Sequence, residues 1–236
     1  MMTESRVKSF QEFHEVIQGH TEQWWRWYYR GHSRLEYELR PKVGREPFIT
    51  KISSDRVMFE KWKRHAVAYV TAPAQELSEW DWLAIAQHHG LATRLLDWTF
   101  NPLAAVFFAI VSSSNEVDCN HDSVVYAHYS RSDFIDTTKK RNPFRFTGIS
   151  RVAPSSVAPR IGRQGGIFTV HGPPNHDLQK YLPQGDELKA IVIDRKCKKD
   201  FAIQLSHYGV NRLSLFPDLD GLSAHINWSF TNLPYA

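Results

Sequence analysis

The sequence predicts a single α+β domain over residues 1–236, with a mixed central sheet and about five helices. Of its 236 residues, 42% are hydrophobic and 13% aromatic, which is enough apolar surface for a sizeable core. Helix-type and strand-type apolar patterns are spread over the whole length. Because no internal repeat, heptad series or low-complexity linker divides the chain, one domain is the simplest interpretation.

Capping residues mark the starts and ends of the predicted helices. Ser9 and Glu12 form a capping box, in which each side chain satisfies a free amide of the first turn. Asn101 before Pro102 is typical of another helix start, and Gly90 is typical of a helix end. The predicted helices cover about residues 10–18, 55–72, 74–89, 101–109 and 198–208.

Aromatic and β-branched runs predict the strands, at residues 24–31, 123–129, 188–194 and 212–216. In the first of these runs, alternation places Trp25, Trp27 and Tyr29 on one face and Arg26, Tyr28 and Arg30 on the other. Repeated prolines between residues 130 and 187 predict that this region is mostly loop.

Charge and cysteine content restrict the function classes. The net charge of +4 is modest, but residues 137–176 contain no Asp or Glu and many Lys and Arg, so this stretch could attract phosphates or be a solvated loop neutralised by its neighbours. Cys119 and Cys197 are far apart, which favours a reducing compartment and neither a disulfide framework nor a zinc site. No signal region and no apolar stretch of about 18 residues is present, so we expect a cytoplasmic chain without a membrane partner.

Three segments together resemble the FRG domain family, which is named for an aromatic-Arg-Gly motif. They are residues 28–32 (YYRGH), 86–103 (AQHHGLATRLLDWTFNPL) and 214–221 (SLFPDLDG), and the likeness runs over about residues 10–226. Tyr29 stands where the motif has Phe, and Ala92 where the family often has Pro. The resemblance implies a link to bacteria and phage, and hence a role in defence or as a toxin, while it implies little about biochemistry.

The strand-end motif Tyr29-Arg30-Gly31 also looks like the first signature of ADP-ribosyltransferases, in which an Arg orients NAD. By that analogy the fold is ADP-ribosyltransferase-like, and residues 97–99 before the fourth helix resemble the second signature. The acid of the third signature would be one of three candidates, Glu187, Asp218 or Asp220. The chain departs from the pattern because its later strands contain no Gln/Glu-x-Glu triplet.

These patterns give a set of candidate site residues. The predicted catalytic residues are Arg30, His89, Asp97, Thr99, Asp218 and Asp220, and the predicted cofactor contacts, with NAD as cofactor and no metal, are Tyr29, Arg30, Gly31, Arg94, Gln164 and Gly165. Arg30 supplies a fork of five donors that suits a phosphate, His89 could transfer a proton with Asp97 orienting it, and Gln164-Gly165 could form a nest of amides.

Each candidate also has a structural interpretation. Arg30 could form an ion pair with Asp97 or Asp218, and His89 could cap the end of its helix. Arg94 is either a site residue or a structural ion-pair member on a connection between two helices, and Asp218 and Asp220 could bind magnesium beside a phosphate or cap the following helix. Gln164-Gly165 could be a turn that enters a strand.

The leading functional hypothesis is therefore a nucleotide-acting enzyme, specifically an NAD-dependent, ADP-ribosyltransferase-like one. A second hypothesis is a nucleic-acid-binding module that contacts phosphates through the arginine-rich stretch 139–163. A third is a protein-sensing interaction domain, which requires Trp24, Trp25 and Trp27 to be exposed as a patch. The expected partners are accordingly a nucleotide or a nucleic acid, with a protein partner and the oligomeric state left open.

Overall fold

The computed structural model describes residues 2–70, 76–111, 116–153 and 166–233, and within them the chain has an α+β fold. The strands are β1 (Thr3–Val7), β2 (Trp27–His32), β3 (Leu95–Thr99), β4 (Ser123–Tyr129), β5 (Gly148–Val152), β6 (Gly166–Gly172) and β7 (Glu187–Ile193). The helices are α1 (Phe10–Gln18), α2 (Asp55–Ala66), α3 (Glu79–His88), α4 (Pro102–Ile110), α5 (Lys198–His207), α6 (Arg212–Leu215) and α7 (Leu219–Asn232).

The seven strands form one mixed sheet in the order β1-β7-β4-β2-β3-β6-β5. β1 pairs with β7 in parallel, and every other neighbouring pair is antiparallel. Apolar side chains from β2, β4 and β7 form one core with α1, α4 and α5. A second core includes residues of α2 and α3 with β3, β5 and β6, so different helices cover the two halves of the sheet.

Side-chain caps place the helix starts where the sequence predicts them. Ser9 accepts a hydrogen bond from the Glu12 amide at the start of α1, and Asn101 accepts from the amides of Leu103 and Ala104 at the start of α4. α3 begins later than predicted, at Glu79, after a Ser78–Asp81 capping box; the predicted start at 74 lies outside the described residues. α2 ends at Ala66, several residues before the end at 72 that the spacing of apolar residues predicts.

Several predicted elements are wrong. Residues 212–216 are not a strand, because Asn211 and Ser214 form a capping box that starts α6. The segment with Arg94 and Asp97 is not a short connection between two helices, because it contains strand β3: Arg94 directly precedes the strand and Asp97 lies at its centre. β5 and β6 lie in the region predicted to be mostly loop, and β1 has no counterpart in the prediction.

The first strand that the sequence predicts, at residues 24–31, begins three residues later in the structure, at Trp27. Trp24–Arg26 is a short 3₁₀ turn, preceded by Gln23 in the left-handed region with φ 52°. β2 therefore starts at Trp27, with Trp27 and Tyr29 in the core against α4 and Tyr28 in the core on the other face of the sheet. The predicted alternation holds inside the strand.

Candidate functional site

The central strands β2 and β3 separate and leave a cleft. β2 pairs with β4 along its whole length, from Trp27 to His32, but it pairs with β3 only at Tyr29 and Thr99. A cleft of about 420 Å³ opens where the two strands diverge, beside the end of α3 and the Ala105 and Phe108 side of α4. It is lined by Tyr29, Arg30, Gly31, Gln87, His88, Asp97, Trp98, Thr99, Ala105 and Phe108.

Arg30 bridges the gap between the separated strands. Its Nη1 donates to the Asp97 backbone oxygen at 2.7 Å and lies 3.7 Å from the Asp97 carboxylate. Its Nε donates to His32 Nε2 at 2.8 Å. These contacts fix the guanidinium plane while the side chain stays 20% exposed, and within the described chain Nη2 has no hydrogen-bond partner. Burial lowers the pKa of Arg30 to about 10, so the group is still a cation at neutral pH.

His32 holds Arg30 in place as a neutral imidazole. Its Nε2 accepts from Arg30, so Nδ1 carries the proton and donates to the Tyr37 backbone oxygen at 3.1 Å. Burial, with the charges of Arg30 and Arg45, lowers the pKa of His32 to about 2. At physiological pH the neutral His32 therefore accepts a hydrogen bond from Arg30 and positions the guanidinium.

A chain of hydrogen bonds orients the carboxylate of Asp97. Thr93 Oγ1 accepts from the Leu95 amide at 3.1 Å and donates to Gln87 Oε1 at 2.6 Å. The other end of the same amide, Gln87 Nε2, donates to Asp97 Oδ2 at 2.8 Å. The Asp97 side chain lines the cleft and is 56% exposed, and Gln87 holds its Oδ2 in place. Asp97 is the one carboxylate among the described residues that line the cleft.

Gly31 and Tyr29 serve the packing of this region. A Cβ on Gly31 would lie 2.0 Å from the Ala105 backbone oxygen and 2.6 Å from the Ala109 nitrogen, so the glycine allows α4 to press directly on β2. The Tyr29 hydroxyl pairs with His20 Nδ1 at 3.1 Å, and the tyrosine is 4% exposed. The aromatic-Arg-Gly motif thus combines two packing residues with one exposed donor.

The two histidines at the end of α3 differ in position. His88 lines the cleft and His89, the predicted proton-transfer residue, is exposed and does not. The rings contact each other edge to face at 5.0 Å, and the His89 amide closes the helix by donating to the Ile85 oxygen. Thr99 lines the cleft as predicted, and its Oγ1 accepts from the Asn101 amide at 3.0 Å.

Other predicted site residues lie away from the cleft. Arg94 is buried and donates to Asp55 Oδ2 through Nε at 2.9 Å and Nη2 at 2.7 Å. Asp218 caps α7 by accepting from the Gly221 amide at 2.6 Å, and Asp220 lies exposed in the first turn of that helix. Gln164 and Gly165 lie outside the described residues.

The sequence prediction omitted three residues that shape the cleft: Gln87, His88 and His32. Gln87 and His88 lie in the segment 86–103 that carries the family resemblance, directly before His89, the predicted catalytic histidine. His32 follows Arg30 by two residues, and this strand spacing puts both on one face. That spacing was a usable signal.

Two other candidate interfaces are the arginine-rich stretch 139–163 and the predicted patch of Trp24, Trp25 and Trp27. Within the described part of the arginine-rich stretch, Arg151 is buried, Lys139 lies 3.4 Å from Asp136 and Lys140 lies over the Phe146 ring. Trp24 and Trp25 are exposed, whereas Trp27 is buried. No described helix is long and apolar enough to cross a bilayer, and no described group of three or more His, Cys, Asp or Glu side chains could hold a metal ion.

Comparison with protein families bears on the two segments that build the cleft. Residues 25–118 match the FRG domain. The matched FRG segment contains β2, α3, β3 and α4, and therefore every residue that lines the cleft. This confirms the resemblance for residues 28–32 and 86–103, whereas residues 214–221 lie outside the match. Searches of the curated proteins and of the solved structures found no match.

Proposed function

We propose that the Arg30 cleft binds a nucleotide and that the chain is an enzyme acting on it, most specifically an NAD-consuming, ADP-ribosyltransferase-like enzyme. The observation that carries the proposal is the guanidinium of Arg30, fixed by His32 and by the Asp97 backbone, with its Nη2 donors left for a ligand. A planar guanidinium of this kind suits a diphosphate. Because its side chain is already ordered in the free protein, binding costs little further side-chain entropy.

Asp97 takes the acid role that the sequence analogy assigned to Glu187, Asp218 or Asp220. Its carboxylate lies beside Arg30 and is held by Gln87, so a diphosphate on the guanidinium would bring the adjoining ribose near it. In the proposed reaction the bond from the ribose C1′ to the nicotinamide nitrogen breaks, and its electron pair leaves with neutral nicotinamide. The carboxylate stabilises the resulting oxocarbenium-like charge, and a nucleophile bonds to C1′ and releases a proton.

A binding panel tests the nucleotide assignment. Wild type and Arg30→Lys are compared by thermal shift and isothermal titration with NAD, ADP-ribose, ATP and short RNA and DNA. Arg30→Lys keeps the charge but loses the fork, so NAD or ADP-ribose binding should weaken about tenfold to a hundredfold. Arg34→Lys is the matched control, since Arg34 is a more exposed arginine that does not line the cleft.

Nicotinamide release from NAD tests the role of Asp97. Asp97→Asn keeps an acceptor for Gln87 and removes the negative charge, so NAD should still bind while nicotinamide release falls at least tenfold. Unchanged release in Asp97→Asn would refute the acid role. Oligonucleotide binding that weakens steeply with salt, with no response to NAD or ADP-ribose, would instead favour the nucleic-acid hypothesis.

A further inference from the structure

A second cavity lies at the other end of β2, separate from the Arg30 cleft. It has a volume of about 400 Å³. Its lining comprises Trp24, Trp25, Arg26, Phe100, Asp133, Phe134 and Arg151. The two cavities share none of the described lining residues, and Arg26 lies in the 3₁₀ turn before β2 whereas Arg30 lies toward the end of that strand. A ligand here is therefore independent of the chemistry proposed for the cleft.

The aromatic wall of this cavity is unusually exposed and is held by a strained residue. Trp24 is 65% exposed and Trp25 53%, and their rings meet edge to face at 6.2 Å. Gln23, just before them, is the one non-glycine residue with positive φ among those the structure describes, and its side chain accepts from the Tyr129 hydroxyl at 2.6 Å. Strain of this kind persists where surrounding contacts enforce it, and it is concentrated at functional sites.

Arg151 supplies the observation that points to a ligand. The residue is 3% exposed, and its Nε and Nη1 have no hydrogen-bond partner within the part of the chain that the structure describes. Nη2 donates to the Ser132 backbone oxygen, and the guanidinium carbon lies 4.5 Å from the Phe134 ring centre and 5.7 Å from that of Tyr28. Ring faces attract the charge but do not replace hydrogen-bond acceptors, so two donors stay unsatisfied beside the cavity.

The charges of the cavity favour a ligand with a negative group. Arg26 adds a second cation, held by the backbone oxygens of Ser130 and Arg131. Asp133, the one carboxylate among the described residues that line the cavity, has a 95% exposed side chain 3.8 Å from Arg26. A cation would be repelled by both arginines, although aromatic cages can bind cations. A planar ring with an attached anion matches the stacking surfaces and the donors together.

We propose that this cavity binds a nucleobase, stacked on Trp24 and Trp25, with its phosphate facing Arg26 and Arg151. Phe134, 38% exposed over the Arg151 guanidinium, is the side chain that moves aside to admit the phosphate. The same chemistry is offered by a free nucleotide and by single-stranded DNA or RNA, which commonly binds aromatic platforms flanked by cations.

Fluorescence anisotropy with a labelled single-stranded oligonucleotide of about eight residues tests the proposal. Trp24→Ala and Trp25→Ala, both at exposed positions, should each weaken binding roughly tenfold, while Trp24→Phe should retain most of it. Arg151→Lys keeps the charge and loses the fork, and should also weaken binding. Two controls should leave the affinity unchanged: Tyr69→Ala, at a residue 86% exposed, and Arg34→Lys, since neither residue is among the described residues that line this cavity or the Arg30 cleft.

Competition identifies the source of the base. AMP that competes as well as the oligonucleotide would identify a free nucleotide, and an oligonucleotide that competes far better would identify a single strand. Three outcomes would overturn the proposal: no binding of either probe, equal competition by a duplex of the same length, or binding that falls with Arg30→Lys but not with the Trp24 and Trp25 variants.

Discussion

Arg30 contacts Asp97 through both its backbone and its side chain: Nη1 donates to the backbone oxygen at 2.7 Å and lies 3.7 Å from the carboxylate. β2 and β3 pair only at Tyr29 and Thr99, and beyond that point the guanidinium of Arg30 links the two strands in place of backbone hydrogen bonds. One side chain both joins the separated strands and presents donors to the cleft between them. Its structural and binding roles should therefore be separable by substitution.

We expect Arg30→Ala to reduce the free energy of unfolding by about 1–3 kcal/mol, because it leaves His32 Nε2 and the Asp97 oxygen without their donor. Urea unfolding measures this loss. Arg34→Ala, which removes an exposed arginine near Glu36, should cost less than about 1 kcal/mol. Equal costs for the two variants would mean that Arg30 does not join the strands.

Gly31→Ala should destabilise the protein through α4. The added Cβ would lie 2.0 Å from the Ala105 backbone oxygen, so helix and strand must move apart at a cost of about 3 kcal/mol or more. Gly19→Ala is the control, since Gly19 has φ −65° and its Cβ would meet only Val16 O at 3.3 Å. Thermal or urea unfolding of both variants should show a large loss for the first and a change within about 1 kcal/mol for the second.

The sequence predicted the cleft residues better than their roles. Tyr29, Arg30, Gly31, Asp97 and Thr99 meet as predicted, because two local motifs at strand ends fall on neighbouring strands. Which histidine of α3 faces the cleft depends on how the helix is rotated against the sheet, and local spacing does not encode this rotation. Gly31, a predicted cofactor contact, lines the cleft, and its lack of a side chain also lets the backbone of α4 approach β2, which the sequence did not predict.

The fold was predictable where a side chain caps its own helix, as at Ser9 and Asn101. It was not predictable at residues 212–216, where a short apolar alternation suited a strand and the Asn211–Ser214 capping box formed a helix instead. β5 and β6 were missed because prolines around them suggested loops, although β6 pairs with β3 and β5 pairs with β6 in the sheet. Non-local pairing of this kind leaves little local signal.

Arg94 and Asp55 form a buried ion pair whose side chains are 7% and 6% exposed. Asp55→Ala should cost about 3–5 kcal/mol, because it leaves an uncompensated guanidinium beside Phe144. The double variant Asp55→Ala/Arg94→Met should recover part of that loss, as the unpaired charge is then absent. Glu60→Ala, in an exposed pair with Arg56, is the control and should cost less than about 1 kcal/mol by urea unfolding. A similar cost for both single variants would contradict the structural assignment of Arg94.

Four buried histidines should make the fold sensitive to mild acid, because burial lowers the pKa of His20, His32, His128 and His171. Burial lowers the pKa of His20 to about 4, of His171 to about 3 and of His32 to about 2. These folded-state values lie below the ordinary pKa of about 6.5, so the unfolded chain binds protons first as the pH falls. The stabilising contribution is therefore complete above about pH 6.5 and is lost progressively toward about pH 4, at about 1.4 kcal/mol per pH unit for each histidine once the unfolded form is protonated.

Urea unfolding between about pH 7.5 and 4.5 measures this slope. His20→Phe keeps a ring stacked on Trp27, which His20 contacts at 3.9 Å, and removes one titrating group, so the slope should fall by about 1.4 kcal/mol per pH unit. His14→Gln, at an exposed position of α1, is the matched control and should leave the slope unchanged. An unfolding free energy that stays constant over this range would show that the buried imidazoles take up protons at the same pH in the folded protein as in the unfolded chain. A slope that His20→Phe does not reduce would show this for His20.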